Sequence, residues 1–110
     1  MLVNKEFVFL YKPNIYTIVI YTETEEISIL FVDDVKAPEL KRSYYLSDEI
    51  VDKFQPNLVG KSKSGKYIVM NVVEKGGKNR LELYEILELT ETTLKTNHLR
   101  SGTILEYKVE

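Results

Sequence analysis

Residues 66–89 read KYIVMNVVEKGGKNRLELYEILEL. Tyr67-Ile68-Val69-Met70 and Val72-Val73 form a run of β-branched and aromatic residues, the composition of a strand buried on both faces. Gly76-Gly77, flanked by Lys75 and Lys78-Asn79, punctuates the run as a hairpin tip. The return leg, Arg80–Leu89, is contested, because Leu, Glu and Ile also favour helix. The even spacing of Leu81, Leu83, Leu87 and Leu89 decides for a strand, with Glu85 as the exception on the leucine face. Two strands, Lys66–Glu74 and Arg80–Leu89, therefore lie antiparallel.

The same period of two extends outward in both directions. Upstream it predicts strands over Lys5–Tyr11, Ile15–Thr22, Glu26–Asp33 and Lys41–Leu46. Downstream it predicts Thr92–Leu99 and Thr103–Val109. Lys12-Pro13-Asn14, Glu23-Thr24-Glu25, Thr90-Glu91 and Arg100-Ser101-Gly102 are turns. Residues 33–40 are a longer polar connection broken by Pro38. One short helix is expected near residues 47–55: Ser47 is a plausible N-cap, Asp48 and Glu49 sit in the first turn, and Pro56 ends it. About eight strands joined by short loops predict antiparallel neighbours, and eight such strands close into an up-and-down barrel without exposed edges. A two-sheet β-sandwich is the alternative. The chain has no internal repeat and no linker, so residues 1–110 are read as a single all-β domain.

Composition excludes several chemistries. The 110 residues contain no cysteine and one histidine, His98. That removes disulfides, thiolate nucleophiles, Cys-ligated zinc and multi-His metal sites. No apolar run reaches the ~20 residues of a membrane-spanning helix. The N-terminus lacks the basic and apolar regions of a signal peptide. The expectation is a cytoplasmic protein, or an exported one if a leader has been removed ahead of Met1. The net charge is −2, which argues against nucleic acid as a partner. Six basic residues, Lys61, Lys63, Lys66, Lys75, Lys78 and Arg80, nevertheless stand against the lone Glu74 in residues 61–80. They are the candidate surface for an acidic protein partner, set against a plain reading as solvated lysines guarding a hydrophobic strand.

Gly60–Lys66 matches the phosphate-loop pattern GxxxxGK. Tyr67 stands where that chemistry needs a hydroxyl for Mg²⁺, and a strand follows where a helix is required. The match is read as a glycine-rich turn. Asp33-Asp34 lies in a polar loop, and Asp48, Glu49 and Asp52 read as helix-terminal charge; neither group flanks a cleft as paired carboxylates must. His98 has no serine elbow near it. Glu85 is either an inward carboxylate holding a ligand's polar group or a residue turned outward by a bulge. No catalytic residue, cofactor or metal is expected, and the chain is read as a non-enzyme.

Tyr44-Tyr45-Leu46-Ser47, Phe54, Val59-Gly60-Lys61, Gly65–Val69 and Tyr84-Glu85-Ile86-Leu87-x-Leu89-Thr90-x-Thr92-Thr93-Leu94 together resemble the C-terminal part of small bacterial lipocalin-like (calycin-type) domains. The likeness spans about residues 44–107. The Gly-x-Trp signature of the lipocalin first strand is missing. The resemblance implies an eight-stranded barrel whose mouth admits a small apolar molecule. An eight-stranded interior holds side chains or one small ligand. Candidate ligand-binding residues are Tyr16, Ile18, Ile20, Ile27, Ile29, Phe31, Ile68, Met70, Leu83, Glu85 and Leu87. The alternative is a small protein-interaction module, such as an inhibitor or immunity-type protein of phage or mobile-element origin, that binds a partner protein or forms a homodimer. Two-sided apolar strands and eight tyrosines motivate it.

Overall fold

The computed structural model describes residues 2–61 and 64–109. Nine strands appear: β1 (Glu6–Lys12), β2 (Ile15–Tyr21), β3 (Glu25–Val32), β4 (Val35–Lys36), β5 (Leu40–Ser47), β6 (Tyr67–Val73), β7 (Asn79–Leu89), β8 (Thr93–His98) and β9 (Thr103–Val109). Each large strand pairs antiparallel with the next, β2 pairs with both β1 and β3, and β9 returns to β1 through Phe7↔Val109 and Val8↔Lys108. Eight strands thus close into a barrel, which sets aside the sandwich. Closure satisfies the ladder groups that an open sheet would leave at its edges.

The ninth strand is β4, where the sequence suggests only a polar connection. Asp33 and Asp34 both take positive φ, 51° and 64°. Two such residues build the hairpin turn that matches strand twist, and Val32↔Val35 pairs across it. The Asn14 side chain donates to Asp33 Oδ1 at 2.7 Å and anchors the tip. The adjacent carboxylates are therefore turn residues.

Among the described residues the one helical turn is a 3-10 turn at Pro56–Leu58, not a helix over 47–55. Ser47 is the last residue of β5, and its hydroxyl is held in a local turn with the Glu49 backbone. A helix of one or two turns repays its nucleation poorly. The segment instead lies along the outside of the barrel. Phe54 packs on Tyr45 with ring centroids 5.2 Å apart, and the Gln55 N–H donates to the Tyr45 hydroxyl at 3.3 Å.

Pleat parity assigns the faces. Phe7, Val19, Tyr21, Tyr44, Leu46, Ile68, Met70 and Leu94 point inward and form one buried cluster at the end of the barrel where β1 begins. Leu2 is buried among them and plugs that end, while the Asn4 N–H donates to the Tyr21 carbonyl. Along β7 the inward residues are Glu82, Tyr84 and Ile86, since Tyr84 lies opposite Ile68 and His98, and Ile86 opposite Thr96. Leu81, Leu83 and Glu85 face out. A bulge falls between Ile86 and Glu88. It resets the phase after Leu87, so Leu89 rejoins the inner face opposite Leu94.

Of the candidate ligand-binding residues, Ile68 and Met70 are inside, within the packed cluster. Tyr16, Ile18, Ile20, Ile27, Ile29, Phe31, Leu83 and Glu85 occupy the outer parity, and Leu87 sits in the bulge, exposed. Both faces of these strands are apolar, and the outer face carries its own packing. Tyr45 is buried against Phe54, its ladder partner Val69 is buried beside it, and Tyr16 stacks on Phe31 at 4.9 Å.

Candidate functional site

The lumen divides into two halves. Large side chains fill the Leu2 end. Toward the opposite end the inward residues become smaller or polar, and a cavity of about 230 Å³ remains. Thr17 and Val19 of β2, Glu26 and Ser28 of β3, Arg42 of β5, Tyr84 of β7, Thr96 of β8 and Leu105 and Tyr107 of β9 line it, with Phe9 and Tyr11 on the β1 side.

Glu26 is its electrostatic centre. It stands at the start of β3, opposite Tyr21 on one side and Arg42 on the other, so both partners reach it along the ladders. Tyr21 Oη donates to Oε2 at 3.2 Å, and Arg42 Nη1 donates to Oε1 at 3.1 Å. A buried carboxylate needs such partners. Burial pushes the Glu26 carboxyl above its usual range, while Arg42 and the two hydrogen bonds pull it back only in part. Burial, reinforced by the Glu26 charge, also raises Tyr21, Tyr84 and Tyr107. These phenols stay protonated, and Tyr21 acts as a neutral donor to Glu26. Tyr44 is lifted to about 12, by burial and then by Glu23, and donates to the Thr22 carbonyl. Thr96 is 2% exposed, and its hydroxyl has no hydrogen-bond partner.

A second inward carboxylate, Glu82, lies on β7 next to Tyr84. His98 Nε2 hydrogen-bonds its Oε2, and the imidazole stacks on Tyr84 at 4.8 Å. Arg80 Nε and Arg100 Nε approach Glu82 Oε1 at 3.5 and 3.2 Å. Both contacts are charge attractions without hydrogen-bond alignment, because Oε1 and Arg80 Nε have no hydrogen-bond partner. His98 Nδ1 meets Ser101 Oγ at 2.8 Å. Serine, histidine and glutamate thus stand in the order of a hydrolytic triad. The Ser101 oxygen, however, also accepts the Thr103 N–H at 3.2 Å and bonds Thr103 Oγ1 at 2.8 Å, and the Gly102 N–H is spent on the His98 carbonyl. Those groups hold the β8–β9 turn, and neither amide is left to stabilise an oxyanion.

Sequence reasoning reaches His98 but misses Glu26, Arg42, Glu82 and Thr96. The available signal is a charged residue set inside an apolar alternation, as in Glu26-Ile27 and Leu81-Glu82-Leu83. Glu85 interrupts its leucine run in the same way yet points outward. The basic group does not form one surface. Lys75 and Lys78 crown the β6–β7 hairpin, whereas Lys61 and Lys66 lie at the other end of β6, a strand of about 20 Å. Arg80 turns inward to Glu74 and Glu82. Lys63 lies outside the described residues.

The glycines of the GxxxxGK match have structural work. Gly60 takes φ +78°, and a Cβ on Gly65 would stand 2.7–2.9 Å from the Ser47 backbone. Among the described residues no cluster of three His, Cys, Asp or Glu could hold a metal ion, and no helix is long and apolar enough to cross a membrane. No protein-family model, no curated protein and no solved structure matches this chain.

Proposed function

We propose that this chain is a lipocalin-like binding module, without catalytic chemistry, that takes one small molecule into the unfilled half of its barrel. The observation that carries the reading is the division of the lumen, with a dry packed core at one end and a polar-lined cavity of about 230 Å³ at the other. Drug-sized ligands occupy roughly 300–1,000 Å³, so the molecule is smaller than these. The lining also amends the expected ligand: hydroxyls and an ion pair favour a polar group on it over a purely apolar body. The test is NMR of the tyrosine ring signals during titration with a mixture of small fragments. Saturable shifts at Tyr84 and Tyr107, abolished in a folded Ser28→Leu variant that fills the cavity, support the reading. Rings indifferent to every fragment overturn it.

A second reading rests on the rim. Leu10, Leu30, Val32, Val35, Leu40 and Ile104 are exposed where the strands end around the cavity's mouth. A ring of exposed apolar side chains favours docking of a protein partner or a second copy. Light scattering that shows mass rising with concentration, and falling back in Val35→Asp, supports it; a monomer at all concentrations counts against self-association.

A further inference from the structure

The geometry points to an anion subsite in the barrel cavity, in which the free edge of the Arg42 guanidinium and the Thr96 hydroxyl receive the carboxylate of a small organic acid. This rests on the reading of the barrel as a small-molecule binder and adds the chemical class of the molecule.

Donor and acceptor accounting sets the sign of the ligand. Both oxygens of Glu26 are taken, one by Tyr21 and one by Arg42. Glu82 gives one oxygen to His98, and two arginine nitrogens crowd the other. A cationic ligand would have to compete with these partners at either carboxylate. The cavity lining itself carries unspent donors, on Arg42 and Thr96. Arg42 meets Glu26 through Nη1 alone, and a guanidinium carries further N–H groups on Nη2 and Nε in a planar fork suited to a carboxylate. Arg42 lines the cavity and keeps about a third of its side chain accessible, at 29%. Thr96 lines the same cavity from β8, is almost wholly buried, and has a hydroxyl with no partner. A buried hydroxyl left unpaired is costly, and an arriving carboxylate oxygen removes that cost. Tyr84 and Tyr107 remain protonated and add phenolic donors. Beyond these polar groups, Phe9, Tyr11 and Leu105 supply an apolar wall for the body of the acid.

The test is calorimetric titration with hexanoate, hexanamide and hexylamine, which share one tail and differ in the head. Hexanoate is expected to bind about tenfold tighter than hexanamide, the typical margin of a charge-assisted hydrogen bond, with hexylamine weakest. Arg42→Met removes this preference. Thr96→Val weakens hexanoate several-fold while the unliganded protein melts no lower than wild type, because the lost hydroxyl has no partner to leave behind. That variant keeps the test decisive if Arg42→Met fails to fold. Equal affinity for hexanoate and hexanamide, a preference for hexylamine, or hexanoate binding untouched in Thr96→Val each overturns the anion subsite while leaving the binding module standing. Absence of binding by all three probes also overturns the subsite, and the fragment titration at the tyrosine rings then decides the wider reading.

Discussion

Arg42 holds Glu26 through a single nitrogen, Nη1 to Oε1 at 3.1 Å, inside the barrel. The carboxylate is nearly buried, whereas the guanidinium is partly wet. Arg42 therefore opposes, in part, the burial that pushes the Glu26 carboxyl up. The pair's energetic worth is seen by removing one member. Arg42→Met is expected to lower unfolding stability by about 1–3 kcal/mol at pH 7, less than for a fully buried pair because Arg42 reaches solvent. Urea unfolding measures it.

The pH dependence follows from the raised Glu26 carboxyl. A group whose folded pKa lies above its unfolded value contributes stability below the unfolded value and loses it as pH rises through the folded one. Glu26 thus favours the fold most below its ordinary value of 4.5. Relative to Glu26→Gln, wild type is expected to gain stability on going from pH 7 to pH 4. The Arg42→Met penalty should shrink over the same interval, since a protonated Glu26 needs no cation. Denaturation curves of the three proteins at both pH values check the sign.

Face assignment is testable with truncations. Phe7 and Leu94 are fully buried in the closed end of the barrel. Leu94→Ala is expected to cost about 2–5 kcal/mol and Phe7→Ala about 3–5 kcal/mol. Leu87 lies in the β7 bulge and is 44% exposed, so Leu87→Ala should stay within about 0.5 kcal/mol. Thermal melts rank the three, and a Leu87 penalty as large as that of Leu94 would invert the assigned pleat.

Gly65 allows the backbone ahead of β6 to approach the end of β5. Gly65→Ala drives a Cβ against Ser47 N, C and O at 2.7–2.9 Å. Backbone atoms on both sides leave little room to yield, and a loss of about 1–3 kcal/mol is expected. Gly76→Ala meets no atom within 4 Å but sits at φ +91°; its cost is conformational, about 1 kcal/mol. Chemical denaturation separates the two.

At the Asp33-Asp34 turn both residues hold positive φ. Glycine is the usual second residue of such a turn. Asp34→Gly is expected to be neutral or stabilising by up to about 1 kcal/mol, as read from the melting midpoint. Asp33→Gly should gain less, because it discards the bond from Asn14.

Strand positions were legible because alternation and turn chemistry are local. Ile15–Tyr21 and Tyr67–Val73 carry β-branched runs between breakers, and the structure places β2 and β6 there. The candidate site was less legible. Glu26, Arg42 and Thr96 are distant in sequence and meet only because β3, β5 and β8 bend around one lumen. The short β4 escaped because its signal is two aspartates at positive φ, a conformation unusual for residues other than glycine.

The amino-acid order by itself determined a succession of antiparallel strands, since period-two segments joined by tight loops pair with their neighbours; that they close into a barrel and do not split into a sandwich was decided by the β1–β9 pairing. Which side of each strand became the inside was decided only by the tertiary structure. Leu83, Ile18 and Ile29 are as apolar as any lumen residue. Burial rewards either face equally until Phe54 and Gln55 lie over Tyr45 and help give the outside a core of its own.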